Sequence, residues 1–331
     1  MMFLLRNIEG LLGNIKSDLV EHRQMLQGIC KKIEEAESMH INMHNFIKDI
    51  QCEQDYIKEE LFLIRNKGEK IEKDLRRLSI NLYNKDKCME RHQKKVFSML
   101  TLKKVQGNYD FCRIGREYDG GYVMLNDFGN SGIAYSFGIN DDVSWDKDMV
   151  SRGFDIYMYD PTIEKLPMIS DKFHFFKVGL AGIDSTLPFP TMTLAEILVE
   201  NKHVEKKDMI LKIDIESFEW EALAVCDIGV LKKFRQIVIE MHNLNDPRFV
   251  DLILKSLTKL NETHQVVHLH ANNYCTGVMA GKRFLPDVLE VTYLNKECYK
   301  FDEYKGDLPH PLDMPNDYEC PDLYIGRDFI D

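Results

Sequence analysis

Residues 211–223, LKIDIESFEWEAL, are the stretch that decides how this chain folds. They continue an apolar run that starts at Met209 and is rich in β-branched residues, which is typical of a strand buried on both faces. The run ends in acidic residues, and residues 219–225 then have the pattern of a helix. Asp214 lies inside the apolar run, where a carboxylate needs a partner or a function. Because ligands of open α/β sheets bind beyond the carboxyl ends of the strands, the stretch predicts a site around Asp214.

Similar apolar runs recur on both sides of this stretch. We predict helices at 143–151, 193–201, 219–225 and 247–260, and strands at 133–137, 155–159, 173–178, 209–215, 236–241, 264–270 and 288–294. Five strand–helix units and a closing strand without its own helix predict an α/β fold: a doubly wound, mostly parallel seven-stranded sheet with an antiparallel edge. This is the Rossmann-like architecture of class I methyltransferases, and the alternative is a nucleotide-binding Rossmann domain.

The first two predicted strands end in residues suited to a nucleoside cofactor. Gly138, in SFGIND, allows a ligand to approach the backbone closely at the first strand–helix turn. Asp160 follows the second strand about twenty residues later, at the spacing of an acid that accepts ribose hydrogen bonds. Neither GxGxxG nor GxxxxGK[ST] is present, which argues against NAD and ATP as ligands.

The fifth predicted strand ends in IVIEMHN, which contains the pair Glu240 and His242. Residues two apart in a strand share a face, so both side chains are expected beside Asp214 on the neighbouring strand. His242 is our candidate general base, because an imidazole titrates near neutrality. Glu240 would orient it or bind the acceptor, Asp214 would position acceptor or cofactor, and His270 could add a polar contact. The alternative makes Asp214, Glu240 and His242 ligands of a divalent cation such as Mn²⁺.

Residues 113–294 resemble the FkbM family of methyltransferases. The matching segments are RIGREYDGGYVM, SFGINDDVSWD, MYDPT, LKIDIESFEWEAL and the E-x-H of IVIEMHN, of which LKIDIE-x-x-E-W-x-x-L is the most specific. The resemblance implies S-adenosylmethionine as cofactor and a hydroxyl of a sugar, glycan or related small molecule as acceptor. It implies that Ser136, Gly138 and Asn140 belong to the cofactor loop, that Asp160 contacts the ribose, and that Asp214 forms the crevice floor near the methyl group.

The chain departs from the common family pattern in its first loop and after its acidic pair. Ser136 stands where the family commonly has Asp, a second glycine near Asp142 is missing, and Ser217 replaces a frequent Gly. These departures leave open a catalytically inactive, methyltransferase-like coiled-coil adaptor. A nucleotide-sugar transferase that uses Asp214 and Glu216 as a metal-binding motif is a further alternative.

The N-terminal region has a different repeat. From Ile8 to Leu82 a seam with mainly Ile at one position and mainly Leu at the other recurs every seven residues, over about ten heptads. The pattern predicts a parallel two-stranded coiled coil, and therefore a homodimer. The heptad phase is lost in the charged residues that follow. We therefore predict a coiled-coil segment at residues 1–95 and a methyltransferase domain at residues 96–331 with an irregular acidic tail.

Composition limits the partners and the compartment. The 331 residues carry a formal net charge of −11, which argues against nucleic acid or an anionic membrane as the main partner. The eight cysteines are scattered, as is usual in a reducing compartment. The sequence has no run of about eighteen apolar residues and so predicts no membrane span. A cytoplasmic protein is the expectation.

Overall fold

The computed structural model describes residues 87–182 and 187–330, together with five isolated helical positions, 23, 67, 70, 72 and 73. The chain divides into two compact units, Met1–Leu82 and Tyr83–Asp331. The predicted heptad seam lies outside the described residues, so the coiled coil and the homodimer stay predictions. The division at residues 95 and 96 also stays a prediction, and helix Lys87–Met99 continues across it.

The second unit contains short helices and many strands, and its elements are numbered in chain order. The helices are α1 (Lys87–Met99), α2 (Ser144–Ser151), α3 (Leu194–Glu200), α4 (Glu219–Val225), α5 (Ile228–Leu231) and α6 (Val250–Thr263), with a 3₁₀ turn at Pro247–Phe249. The strands are β1 (Lys103–Val105), β2 (Phe111–Ile114), β3 (Tyr122–Leu125), β4 (Ile133–Phe137), β5 (Asp155–Tyr159), β6 (Phe173–Phe176), β7 (Gly179–Leu180), β8 (Thr191–Met192), β9 (Met209–Ile213), β10 (Phe234–Met241), β11 (His264–Ala271), β12 (Gly277–Ala280), β13 (Arg283–Pro286), β14 (Leu289–Asn295) and β15 (Phe301–Glu303).

A seven-stranded sheet forms the centre, with the order β11-β14-β10-β9-β4-β5-β6. The neighbours from β10 to β6 are parallel, and β14 is antiparallel to both β10 and β11. All seven strands are those predicted from the apolar runs, so the mostly parallel α/β sheet is confirmed. The chain leaves β4 in one direction to form β5 and β6, and then returns to the other side of β4 to form β9. This reversal is a topological switch point, where such sheets open a crevice.

Two details of the predicted topology are wrong. The antiparallel strand β14 is not at the edge, because β11 pairs along its outer side. All seven residues of β14 are buried, which suits an interior position better than an edge. The number of strand–helix units is four and not five. The described residues 160–172, where no helix was predicted, connect β5 to β6 without one. Pro161 and Pro167 restrict that connection, since proline disfavours a helix interior.

One face of the sheet is covered by α2 and by the β2–β3 hairpin. Trp145 and Met149 of α2 pack with hairpin and sheet residues in one apolar cluster. The hairpin also contributes Tyr122, whose ring is 1% exposed and whose hydroxyl reaches the carboxyl ends of β9 and β10. The packing that builds the core therefore also places a phenol in the crevice. No helix of the described part of the chain is long and apolar enough to cross a membrane.

Candidate active site

Asp214, Glu240 and His242 meet at the carboxyl ends of β9 and β10. One ligand-type atom of each lies within 4.8 Å of the others. Glu240 and His242 are 5% and 8% exposed, and the Asp214 side chain is a quarter exposed at the rim. The register explains the meeting, because Ile239 of β10 pairs with Ile213 of β9, directly before Glu240 and Asp214. The structure therefore brings together the three residues that the sequence singled out as candidates.

Glu219 fixes the orientation of the His242 ring. Its Oε1 accepts the His242 backbone N–H at 2.7 Å and the Nδ1–H at 3.2 Å, and Glu219 is fully buried at the start of α4. His242 Nε2 is left facing the carboxylates of Glu216 at 3.7 Å and Glu240 at 3.8 Å. Burial alone lowers the pKa of His242, but Glu219, Glu240 and Glu216 outweigh it and raise that pKa well above its ordinary value.

Tyr122 joins the two carboxylates of the crevice. Its hydroxyl lies 3.0 Å from Asp214 Oδ2 and 3.3 Å from Glu240 Oε2, so a single O–H is shared between them. Asn272 donates to Glu240 Oε1 at 2.7 Å. Burial and the nearby charge of Asp214 raise the pKa of Glu240 well above its ordinary value. The sequence argument missed Tyr122 and Asn272. The feature of the sequence that could have indicated Tyr122 was its position directly after the Gly120-Gly121 turn.

Lys212 connects the crevice to the Gly138 loop. It is buried within β9, and its Nζ donates to the Gly138 carbonyl at 2.9 Å and lies 3.8 Å from Asp214 Oδ2. Gly138 itself has φ +79°, and a Cβ there would lie 1.6 Å from the Asp214 carbonyl oxygen. Only glycine therefore allows this close approach of the two loops. The sequence signal for Lys212 was a charged residue inside the same apolar run as Asp214.

Asp160 contacts the Gly138 loop through its carboxylate. Asp160 Oδ2 accepts the N–H groups of Ile139 and Asn140 at 2.8 and 2.9 Å, and Oδ1 accepts the Thr162 N–H and hydroxyl at 2.8 and 2.6 Å. These hydrogen bonds outweigh burial and lower the pKa of Asp160. Each oxygen thus already accepts two hydrogen bonds from its own chain.

The other two predicted loop residues differ in exposure. Ser136 is fully buried inside β4, whereas Asn140 is exposed at the tip of the loop with φ +49°. The Asn140 side chain is therefore open to a ligand, whereas the Ser136 hydroxyl is buried.

A second polar row continues from the crevice along the sheet. Glu240 pairs in register with Glu290 of β14, which pairs with His270 of β11. His270 lies 2.9 Å from Glu290 Oε2 and 3.1 Å from Asp322 Oδ1, and Asn316 donates to Glu290 Oε1 at 2.6 Å. His270 is thus held between a strand carboxylate and the C-terminal segment. The C-terminal segment, which was predicted as an irregular tail, contacts the sheet here through Asp322 and Asn316.

Arg113 and Arg116 hold the turn before β3 through contacts with backbone carbonyls. Arg113 donates to the carbonyls of Arg116 and Tyr118, and Arg116 donates to the Asp119 carbonyl at 2.6 Å. Arg116 also lies 3.3 Å from Asp142 Oδ2. These contacts hold residues 115–121 in the shape that leads into Tyr122.

The switch-point crevice is lined by acids and an imidazole, and in open α/β sheets ligands bind across the ends of the central strands at such a point. Residues 136–268 match the family described as the Methyltransferase FkbM domain. The match supports a methyltransferase in general. No curated protein matches the chain.

One solved structure with a detectable likeness is a putative hemolysin from Streptococcus thermophilus. It is 12% identical, the match covers 62% of this chain and 82% of that chain, and the TM-score is 0.28. A likeness of that size carries no argument about fold or function.

Proposed function

We propose that the domain transfers a methyl group from S-adenosylmethionine to a hydroxyl group of a sugar, glycan or related small molecule. The observation that carries the proposal is the meeting of Asp214, Glu240 and His242 beside the Gly138 loop, in a domain of the FkbM family. When bound, S-adenosylmethionine supplies a methyl group on a positively charged sulfonium. Carboxylates at the crevice attract that charge and attract the neutral thioether product less, so the charge pattern fits this donor.

The loop at Gly138 is the place we assign to the cofactor. It lies at the end of β4, next to the switch point, and Asp160 and Lys212 hold it from two sides. The ribose contact proposed for Asp160 requires one of its present hydrogen bonds, most simply that from Thr162, to be exchanged. Asn140, exposed at the tip of the loop, is free to add a polar contact.

His242 is the group to which we assign the proton of the acceptor. Its Nε2 takes the hydroxyl proton while the acceptor oxygen bonds to the methyl carbon and the carbon–sulfur bond breaks toward sulfur. Glu219 supports this role, because a ring that donates through Nδ1 keeps the lone pair on Nε2. A positive charge brought into the crevice favours the neutral imidazole that the step needs. A positioned base contributes typically about 10²–10⁴-fold to such a rate.

The test is a His242→Ala variant of the full chain. We expect titration calorimetry to give unchanged affinity for S-adenosylmethionine, and transfer of labelled methyl groups to a glycan and metabolite panel to fall by about 10²-fold or more. The matched control is His174→Ala, because His174 is a partly exposed imidazole on β6, away from the crevice. Near-normal turnover in the His242 variant would show that His242 is not the general base. Absence of S-adenosylmethionine binding in the unaltered protein would instead favour the inactive adaptor.

A further inference from the structure

The three crevice side chains form a donor set of mixed chemistry on a rigid support. Asp214 and Glu240 offer carboxylate oxygens and His242 offers an imidazole nitrogen, with the three atoms within 4.8 Å of one another. The residues lie on or directly after two hydrogen-bonded parallel strands, β9 and β10, in the centre of the sheet. Their backbone positions are therefore fixed before any ligand binds.

The environment of His242 is a second, independent observation. The residue is more than nine-tenths buried, its Nδ1 is bound by the fully buried Glu219, and its Nε2 makes no hydrogen bond within the described part of the chain. Metal-binding histidines characteristically donate their other ring N–H to a carboxylate, which fixes the tautomer and raises the basicity of the free nitrogen. Glu219 and His242 reproduce that arrangement, with the free nitrogen directed toward Glu240.

We propose that Asp214, Glu240 and His242 bind a divalent cation of the Mn²⁺ type. Two carboxylates and one imidazole form a mixed oxygen and nitrogen set, which suits such an ion better than an all-oxygen magnesium site or a thiolate zinc site. A cation about 2.1 Å from each ligand atom brings those atoms to about 3 Å apart, so the side chains close by an ångström or two. The remaining coordination positions face the crevice and are open to water or acceptor oxygens.

The role of this cation rests on the proposed function, because it would hold the acceptor hydroxyl in the crevice and stabilise negative charge on its oxygen. With the cation bound, His242 Nε2 is a ligand, and the proton of the acceptor hydroxyl passes instead to the exposed carboxylate of Glu216, which lies 3.7 Å from that nitrogen. The cation also balances a local excess of negative charge. Among the described residues this charge is met by Lys212, 3.8 Å from Asp214 Oδ2, by the shared Tyr122 hydroxyl and by the Asn272 amide.

The test is a titration of the full chain with Mn²⁺, in which the electron paramagnetic resonance signal measures the concentration of free Mn²⁺. We expect one site per chain, weakened at least tenfold by Glu240→Gln and by His242→Gln. The matched control is Glu290→Gln, a buried carboxylate on the next strand whose partners are His270 and Asn316. Glu219→Gln keeps all three ligands and should weaken binding by about 10–100-fold, as removal of a supporting carboxylate does.

Asp214→Asn provides the test if a variant of a buried residue fails to fold, because the Asp214 side chain is partly exposed. This variant should have an unchanged thermal melt and should also weaken Mn²⁺ binding about tenfold. Binding that is equally strong in the ligand variants and in the Glu290 control would overturn the proposal, as would no binding at millimolar Mn²⁺. Separate titration with S-adenosylmethionine distinguishes the failures. If that cofactor binds and Mn²⁺ does not, His242 remains the base; if only Mn²⁺ binds, the cation site stands and methyl transfer fails.

Discussion

At the residue scale, the hydroxyl groups of two buried tyrosines differ in their hydrogen bonding, one in the crevice and one in the core. Tyr122 and Tyr293 are both fully buried tyrosines, but the Tyr122 hydroxyl reaches two carboxylates, whereas the Tyr293 hydroxyl has no hydrogen-bond partner within the described residues. A buried polar group without a partner costs free energy, and one that bridges two carboxylates organises them. The same residue type therefore has opposite effects at the two positions.

We predict that Tyr122→Phe lowers methyl transfer by about tenfold, because the loss of one charge-assisted hydrogen bond is worth about 1.5–3 kcal/mol and leaves Asp214 and Glu240 repelling each other. The affinity for S-adenosylmethionine should change less than turnover. Tyr293→Phe is the matched control and should leave turnover unchanged and the free energy of unfolding equal or slightly higher. Equal turnover in both variants would contradict a role for the Tyr122 hydroxyl.

Two glycines with a positive φ angle, Gly138 and Gly153, allow a second prediction. Gly138 has φ +79° and Gly153 has φ +93°, but a Cβ at Gly153 meets nothing within 4 Å, whereas one at Gly138 collides with the Asp214 carbonyl. Gly153→Ala should cost only the left-handed strain, about 1–2 kcal/mol in urea unfolding. Gly138→Ala should cost more and should also abolish S-adenosylmethionine binding in calorimetry, because the loop must move away from Asp214. Cofactor binding that survives Gly138→Ala would show that the loop is not the cofactor site.

At the element scale, apolar runs predicted every strand of the sheet, but not the place of each strand in it. Local periodicity reports burial, and β14 and β11 are both buried, so no local signal shows that β14 inserts between β10 and β11. Strand ends similarly predicted Asp214, Glu240 and His242. Tyr122 and Asn272 were missed because they reach the crevice from a hairpin and a loop that are distant in sequence.

The buried His264, at the start of β11, forms a hydrogen bond with the backbone of Phe234, at the start of β10. His264 Nε2–H donates to the Phe234 carbonyl at 3.0 Å, and its Nδ1 lies 2.7 Å from the Thr263 hydroxyl. Burial lowers the pKa of His264 from 6.5 to about 4. Since the folded state resists protonation, the unfolded chain takes up the proton first as pH falls below 6.5.

We therefore predict that His264 costs the protein stability as pH falls from 6.5 toward 4, by up to about 3 kcal/mol. The measurement is urea unfolding of the wild type and of His264→Gln at pH 7, 5.5 and 4.5. The variant should lose less free energy of unfolding than the wild type over this range. Parallel curves for the two proteins would show that His264 does not titrate between the folded and unfolded states. Comparison of the two proteins is needed because His270 and His242 shift the opposite way.

At the scale of the whole molecule, the sequence has a heptad repeat before the domain that contains the match to the methyltransferase family. The seam at Ile57, Leu61 and Ile64 is a prediction of sequence alone, from the 3.5-residue spacing of Ile and Leu. Such a seam is stable only when a second helix buries it, so the repeat predicts self-association of the full chain. Lysine in place of a seam residue would place a charge in that buried contact, which is costly without a partner.

We predict that the full chain is a dimer by size-exclusion chromatography with light scattering, and that Ile57→Lys with Ile64→Lys converts it to a monomer. The matched control is Gln51→Lys with Asn66→Lys, which adds the same charge at flanking positions outside the seam. This control should remain a dimer, because flanking side chains of a coiled coil stay in water. A seam variant that is still dimeric would place the association elsewhere in the chain. If the seam variant is monomeric and still binds S-adenosylmethionine with wild-type affinity, pairing is not needed for cofactor binding, as expected when the crevice is built from one chain.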